Sequence, residues 1–152
     1  MTHQKVRIAA RTLIREMGLL GSNPTPLLPI CTELGCLVVR RDLEGIDGLF
    51  VPVGYPTIFL NERHTRTRRR FTLAHEIGHI VLGHYEMAHA EPVMERQADI
   101  FAAEILMPVQ EFRRVAPFMD DAGIAEYFGV SVQTAKIRRE VLHCPGGGVI
   151  SL

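Results

Sequence analysis

Val6, Ala9, Ala10, Leu13, Met17 and Leu20 recur mostly at steps of three and four. That rhythm puts them on one face of a helix over residues 2–20, with Thr2 as its N-cap. The turn-rich run from Ser22 to Pro26 interrupts it. Thr25 and Pro26 then read as the N-cap and first position of a short helix closed by Gly35. The rhythm next changes to short runs rich in β-branched and aromatic residues. Cys36–Arg41, Ile46–Val53 and Thr57–Asn61 predict strands, and Gly54-Tyr55-Pro56 the turn between the last two. After Asn61 the helical spacing returns. One helix spans 65–83 and ends near Gly83. A second opens at Pro92 and runs to about Leu106, and a short third restarts after Pro108. Asp120 or Asp121 caps a helix that Gly129 ends, and Ser131 caps a last one to about Leu142. The expected fold is α+β: helices gathered around a small antiparallel sheet, closed by a C-terminal helical hairpin.

Composition narrows the picture. The chain has 152 residues, 47% hydrophobic and 22% charged, as expected for one compact domain rather than a disordered segment. The expected organisation is a single domain over 1–152. N-terminal helices and the small sheet occupy 1–61, the central helices 62–119, a helix-turn-helix-like hairpin 120–143 and a mobile tail 144–152. Lys+Arg is 17 and Asp+Glu is 17. That balance excludes bulk attraction to nucleic acid as the main activity and leaves room for a local basic patch. Cys31, Cys36 and Cys144 are odd in number and have no framework spacing. A disulfide scaffold is not expected and a reducing compartment fits better, with Cys31 and Cys36 reading as small core residues. No secretion signal is visible after Met1, and the longest apolar run is far below the length of about 18 residues that a span requires. A cytoplasmic protein that does not enter the membrane is expected.

The chemistry lies between His75 and Asp99. His75-Glu76-Ile77-Gly78-His79 is an H-E-x-x-H sequence on a predicted helix. Residues four apart on a helix differ by about 40° in azimuth and about 6 Å in rise, so two imidazoles can converge on one tetrahedral zinc ion. Glu76 then projects beside the ion, where it can take a proton from an attacking water. Phe71, Leu73, Ala74, Ile80, Val81 and Leu82 make this helix mostly apolar, and His and Glu among them are costly to bury unless paired or ligated. A third ligand is needed. Glu95 and Asp99 share one face of the next helix, which Ala98, Ala102 and Ile105 continue. The small residues allow that helix to lie close. Glu95 is the first choice as ligand, and Asp99 as acceptor of a ligating histidine's other N–H. His84, His89 and Asp99 are the rival third ligands. His84 follows His79 by five residues, which misses the spacing of a third histidine six residues on. For an oxyanion donor, Tyr85, His84, His89, Tyr55 and Arg70 are candidates.

Two motifs together carry a family resemblance. Arg69-Arg70-Phe71-Thr72-Leu73-Ala74-His75-Glu76-Ile77-Gly78-His79 is followed by Glu95-x-x-Ala98-Asp99-x-Phe101-Ala102-Ala103-Glu104-Ile105-Leu106-Met107-Pro108. With Ile58-Phe59-Leu60-Asn61 upstream, they resemble the ImmA/IrrE zinc-dependent metallopeptidases over roughly residues 25–142. The resemblance implies a zincin-like helical core, zinc on His75, His79 and Glu95, and Glu76 as catalytic base. It also implies a regulatory protease of the short, single-domain kind. Its protein substrate would be a helix-turn-helix repressor of a mobile element or of a stress response.

Two further features have plainer readings. Arg63, Arg66, Arg68, Arg69 and Arg70 stand against one Glu62 and read as a solvated or ion-paired face. Ile124–Ser131, followed by Ala135 and Ile137-Arg138-Arg139, has the rhythm of a helix-turn-helix. Lys136, Arg138 and Arg139 are few charges for DNA, so packing on the core or docking a substrate protein is expected, and direct nucleic-acid binding is not. The alternative to an active protease is a non-catalytic regulator that binds a partner protein or DNA. The intact Glu76 argues for the protease.

Overall fold

A computed structural model describes residues 1–87 and 91–145. Helix α1 (His3–Glu16) is capped by Thr2, whose hydroxyl accepts from the Lys5 amide, and buries Val6, Ala10 and Ile14. Helix α2 (Leu28–Glu33) follows. Strands β1 (Leu37–Arg41), β2 (Gly48–Val51) and β3 (Thr57–Asn61) form the sheet. Then come α3 (Arg66–Val81), a 3-10 turn at His84–Glu86, α4 (Pro92–Leu106), α5 (Val109–Val115), α6 (Asp121–Phe128) and α7 (Val132–Val141). The class is α+β as expected. Among the described residues no helix is long and apolar enough to cross a membrane.

The sheet departs from expectation. Its order is β1-β3-β2, with β1 parallel to β3 and β2 antiparallel to β3, so it is mixed rather than antiparallel. Burial explains the order. β3 is the strand with buried apolar side chains, Ile58 and Leu60, so it takes the centre with a neighbour on each side. β2 is left as an edge strand, and it packs on α3: a Cβ at Gly48 would sit 2.5 Å from Cγ2 of Thr72.

A second departure is at Thr25. It does not cap α2, which starts at Leu28 after Leu27. Its buried hydroxyl donates instead to the Ile105 carbonyl, 2.9 Å away. The last carbonyls of α4 lack helical partners, and satisfying a buried one outweighs a local cap.

Helices α3 and α4 form the central layer. Gly78 on α3 faces Ala98 and Phe101 on α4, where an added Cβ would lie 3.1 Å from Cδ1 of Phe101 and 3.3 Å from Cα of Ala98. The two helices therefore touch almost backbone to backbone at the level of the motif. Glu104, 1% exposed, links three helices: it accepts from Arg138 on α7 at 2.8 Å and from Arg11 on α1 at 2.7 Å.

The C-terminal hairpin keeps its predicted caps, Asp120 and Ser131, and its left-handed Gly129. Its arginines turn inward. Arg138 pairs with Glu104 and the Met107 carbonyl, and Arg139 with Asp121 and the Ala116, Met119 and Pro145 carbonyls. Of the three cations read on this helix, Lys136 alone stays exposed. The arginine strip is partly paired: Arg63 with Asp42 and Arg68 with Asp47, both at 2.7 Å. Cys31 and Cys36 are free and buried, and Cys144 is free and half-buried. Of the expected tail, Pro145 is held by Arg139; residues 146–152 lie outside the described residues.

Candidate metal centre

The centre is built on α3 and closed by α4. Thr65 caps α3, its hydroxyl accepting from the Arg68 amide, and Gly83 ends the helix in a left-handed conformation. Between them His75 and His79 stand one turn apart and share a face. Their Nε2 atoms are 3.0 Å apart. Glu95, in the first turn of α4, places Oε2 3.1 Å from Nε2 of His75 and Oε1 3.1 Å from Nε2 of His79. The two Nε2 atoms and the Glu95 carboxylate thus form a triangle of three groups, in which His75 meets one carboxylate oxygen and His79 the other. A tetrahedral ion with bonds of about 2.0–2.1 Å has donor separations of about 3.3 Å, so this set fits zinc in both dimension and chemistry.

Asp99, one turn beyond Glu95, accepts from Nδ1 of His75 at 2.8 Å. A carboxylate only accepts here, so the ring's proton sits on Nδ1 and Nε2 turns a lone pair into the triangle. His84 is not part of the triangle. Its Nδ1 lies 2.8 Å from Nδ1 of His79, and its Nε2 3.0 Å from Oε1 of Gln97. His89, the other histidine rival, lies outside the described residues.

Glu76 is buried beside the triangle and receives a hydrogen bond from the Tyr85 hydroxyl. Tyr85 is held in turn by Phe50 of β2, with ring centroids 4.6 Å apart. Burial pushes the Glu76 carboxyl above the ordinary carboxylate range. Tyr85 and His75 work against this, and the Glu95 charge adds to it. For His75 burial works downward but is outweighed by the Asp99 hydrogen bond and the nearby carboxylates, so its pKa is raised. For His79 burial comes first and the neighbouring His75 adds, so its pKa falls to about 4. Burial and Glu76 both raise the Tyr85 phenol.

Two shallow clefts, of about 290 and 310 Å³, meet at this centre and share Gly48, His75, Glu76 and Glu95. Of the other oxyanion candidates, Arg70 is spent on the Gly129 and Thr25 carbonyls and Tyr55 stands exposed in the β2–β3 turn. Sequence reasoning missed Gln97, which carried no local signal. It also missed Gly78, whose signal was a glycine inside a helix, an arrangement that usually has a packing reason.

The fold and this cluster define a class: an α+β domain that presents two helix-borne imidazoles and one carboxylate at a single point. The chain belongs to the metallopeptidase family of the IrrE N-terminal-like domain, whose family model matches residues 31–140. It is 38% identical to the radiation response metalloprotease IrrE of Deinococcus radiodurans, with 43% of this chain and 26% of that protein covered. It is 32% identical to the protein of the same name from Deinococcus deserti, covering 47% of this chain and 33% of the relative. The alignments thus span about a quarter to a third of the length of these relatives. A solved Mycobacterium tuberculosis transcriptional regulator shares the fold at TM-score 0.67 and 18% identity, over 87% of this chain and 45% of that one.

Proposed function

We propose that the chain is a zinc-dependent endopeptidase that cuts a regulatory protein, with His75, His79 and Glu95 as ligands, Asp99 orienting His75 and Glu76 as general base. The observation that carries this reading is the convergence of His75, His79 and Glu95, in pairwise contacts of 3.0–3.1 Å, with the buried Glu76 carboxylate beside them. When bound, zinc would supply a Lewis acid and a water acidic enough to ionise near neutral pH. Glu76 would take the proton of the attacking water and hand it to the leaving amine. One oxygen of Glu76 is fixed by Tyr85, which leaves the other to face the water. A carboxyl raised by burial is a better proton acceptor than an exposed one and can still release the proton afterwards.

The substrate is a folded protein presenting an accessible segment. Two shallow clefts of about 300 Å³ cannot enclose a long peptide. The free edge of β2 borders them and offers backbone groups to an extended chain. The family resemblance supports a helix-turn-helix repressor of a mobile element or stress response, and the name of the Deinococcus relatives supports a stress response. The inward turn of Arg138 and Arg139 supports the hairpin as a packing or docking element rather than a DNA reader.

The test is co-expression with candidate repressors, scored for a discrete fragment. Wild type should produce it, and Glu76→Gln should keep zinc, bind the partner and leave it intact. If Glu76→Gln relieves repression as fully as wild type, the chain acts by binding alone.

A further inference from the structure

The two histidines of the triangle are clamped from behind by different chemistry. Behind His75 stands Asp99, a carboxylate with a side chain 59% exposed. Behind His79 stands a second imidazole, the buried His84, in a relay that continues through the buried Gln97 to the carbonyl of the exposed Met1.

With a neutral imidazole at His84, the relay has one arrangement of protons. The Met1 carbonyl can only accept, so Gln97, 2.9 Å away, presents its amide NH₂ to it. Its amide oxygen then faces Nε2 of His84 at 3.0 Å and can only accept. His84 therefore carries its proton on Nε2, and the neutral ring has a bare Nδ1. That atom lies 2.8 Å from Nδ1 of His79, so the proton between them belongs to His79. Nε2 of His79 is left as a lone pair, aimed at Nε2 of His75 and at Glu95. Reversing the Gln97 amide would set two carbonyl oxygens against each other and two N–H groups toward His84, so the direction is fixed from the far end.

We propose that His84 and Gln97 are positioning residues of the metal centre, which hold His79 in the Nδ1–H tautomer and fix its ring plane. The inference rests on the reading of His75, His79 and Glu95 as ligands. Without His84 the proton of His79 is free to sit on either ring nitrogen. On Nε2 it would point into the triangle and have to leave before a metal could bind.

The test uses the full chain with zinc as the probe and two readouts: zinc affinity by competition with a chromophoric chelator, and the His79 tautomer of the metal-free protein by long-range ¹H–¹⁵N correlation. Removing a partner that orients a metal-ligating histidine typically weakens binding about 10–100-fold. His84→Leu should show that loss and a His79 proton divided between both nitrogens. His84→Asn, whose amide oxygen takes the place of Nδ1, should recover most of the affinity and the Nδ1–H tautomer. A purely spatial role for His84 would make the leucine and asparagine variants alike. If His84→Leu fails to fold, Gln97→Leu decides, since it frees His84 without touching the triangle and should shift the same two readouts. Affinity within about twofold of wild type with His79 still Nδ1–H, in whichever variant folds, overturns the inference. Glu95→Ala separates the two readings. If it binds zinc as wild type does, the ligand assignment is wrong, while the His79 tautomer still reports on His84.

Discussion

Gly78→Ala tests whether the spacing of α3 and α4 sets the metal centre. A methyl there would lie 3.1 Å from Cδ1 and 3.2 Å from Cβ of Phe101, and 3.3 Å from Cα of Ala98. Carbon atoms pack comfortably at about 3.5–4.0 Å, so the helices must part by roughly half an ångström. Neither neighbour can swing aside: Phe101 is fully buried, and the Ala98 atom is backbone. Alanine gains about 1 kcal/mol of helix propensity over glycine, and overpacking costs about 1–3 kcal/mol. The net loss of stability is therefore small, about 0–2 kcal/mol. The effect on the site is larger. Both imidazoles stand on α3 while Glu95 and Asp99 stand on α4, so the separation opens the 3.1 Å Glu95 contacts and the 2.8 Å Asp99 bond together. Ligand bonds tolerate only about 0.2 Å, so zinc should bind about 10–100-fold more weakly, or about 1.4–2.7 kcal/mol. Urea denaturation of the metal-free protein and chelator competition measure the two terms separately. A variant that is about 1 kcal/mol more stable than wild type and binds zinc equally well would refute the reasoning.

The purified protein should carry about one zinc; His75→Ala, His79→Ala or Glu95→Ala should remove most of it and lower the melting temperature, as metal analysis and calorimetry would show. Tyr85→Phe should leave zinc content unchanged and reduce cleavage, because it frees the Glu76 carboxylate without touching a ligand; equal turnover of a cleaved repressor would argue against that hold. Glu104→Gln should destabilise the fold by about 3–5 kcal/mol, since it strands Arg138 in the core, and a loss under about 1 kcal/mol in denaturant titration would contradict the buried pair. Burial pushes the Glu104 carboxyl up, but Arg138 and Arg11 outweigh it and hold it below the ordinary range. Its contribution is therefore present above the unfolded pKa of about 4.3 and is lost as pH falls through the lower folded value; Glu104→Gln should flatten that acid limb.

Much of the site was legible without the fold. The i, i+4 spacing of His75 and His79, and of Glu95 and Asp99, is a property of any helix, and the helices announced themselves by Gly83 and Pro92. The short capped helices at Asp120 and Ser131 were legible for the same reason: a cap is a contact between residues three apart in the chain. What sequence could not carry was any choice between partners far apart. Strand order was settled by which strand could bury both Ile58 and Leu60, so β3 moved to the centre and made the sheet mixed. Thr25 gave up its cap for a carbonyl 80 residues away. Arg138 and Arg139 read in sequence as too few charges for DNA, but their partners, Glu104 and Asp121, are named only by the packing of α7. His84 sits one residue short of the third-histidine spacing, and its role follows from facing Gln97, a residue on another helix. Local rules depend on the backbone period alone, whereas these assignments depend on which buried polar group finds its partner once the helices meet.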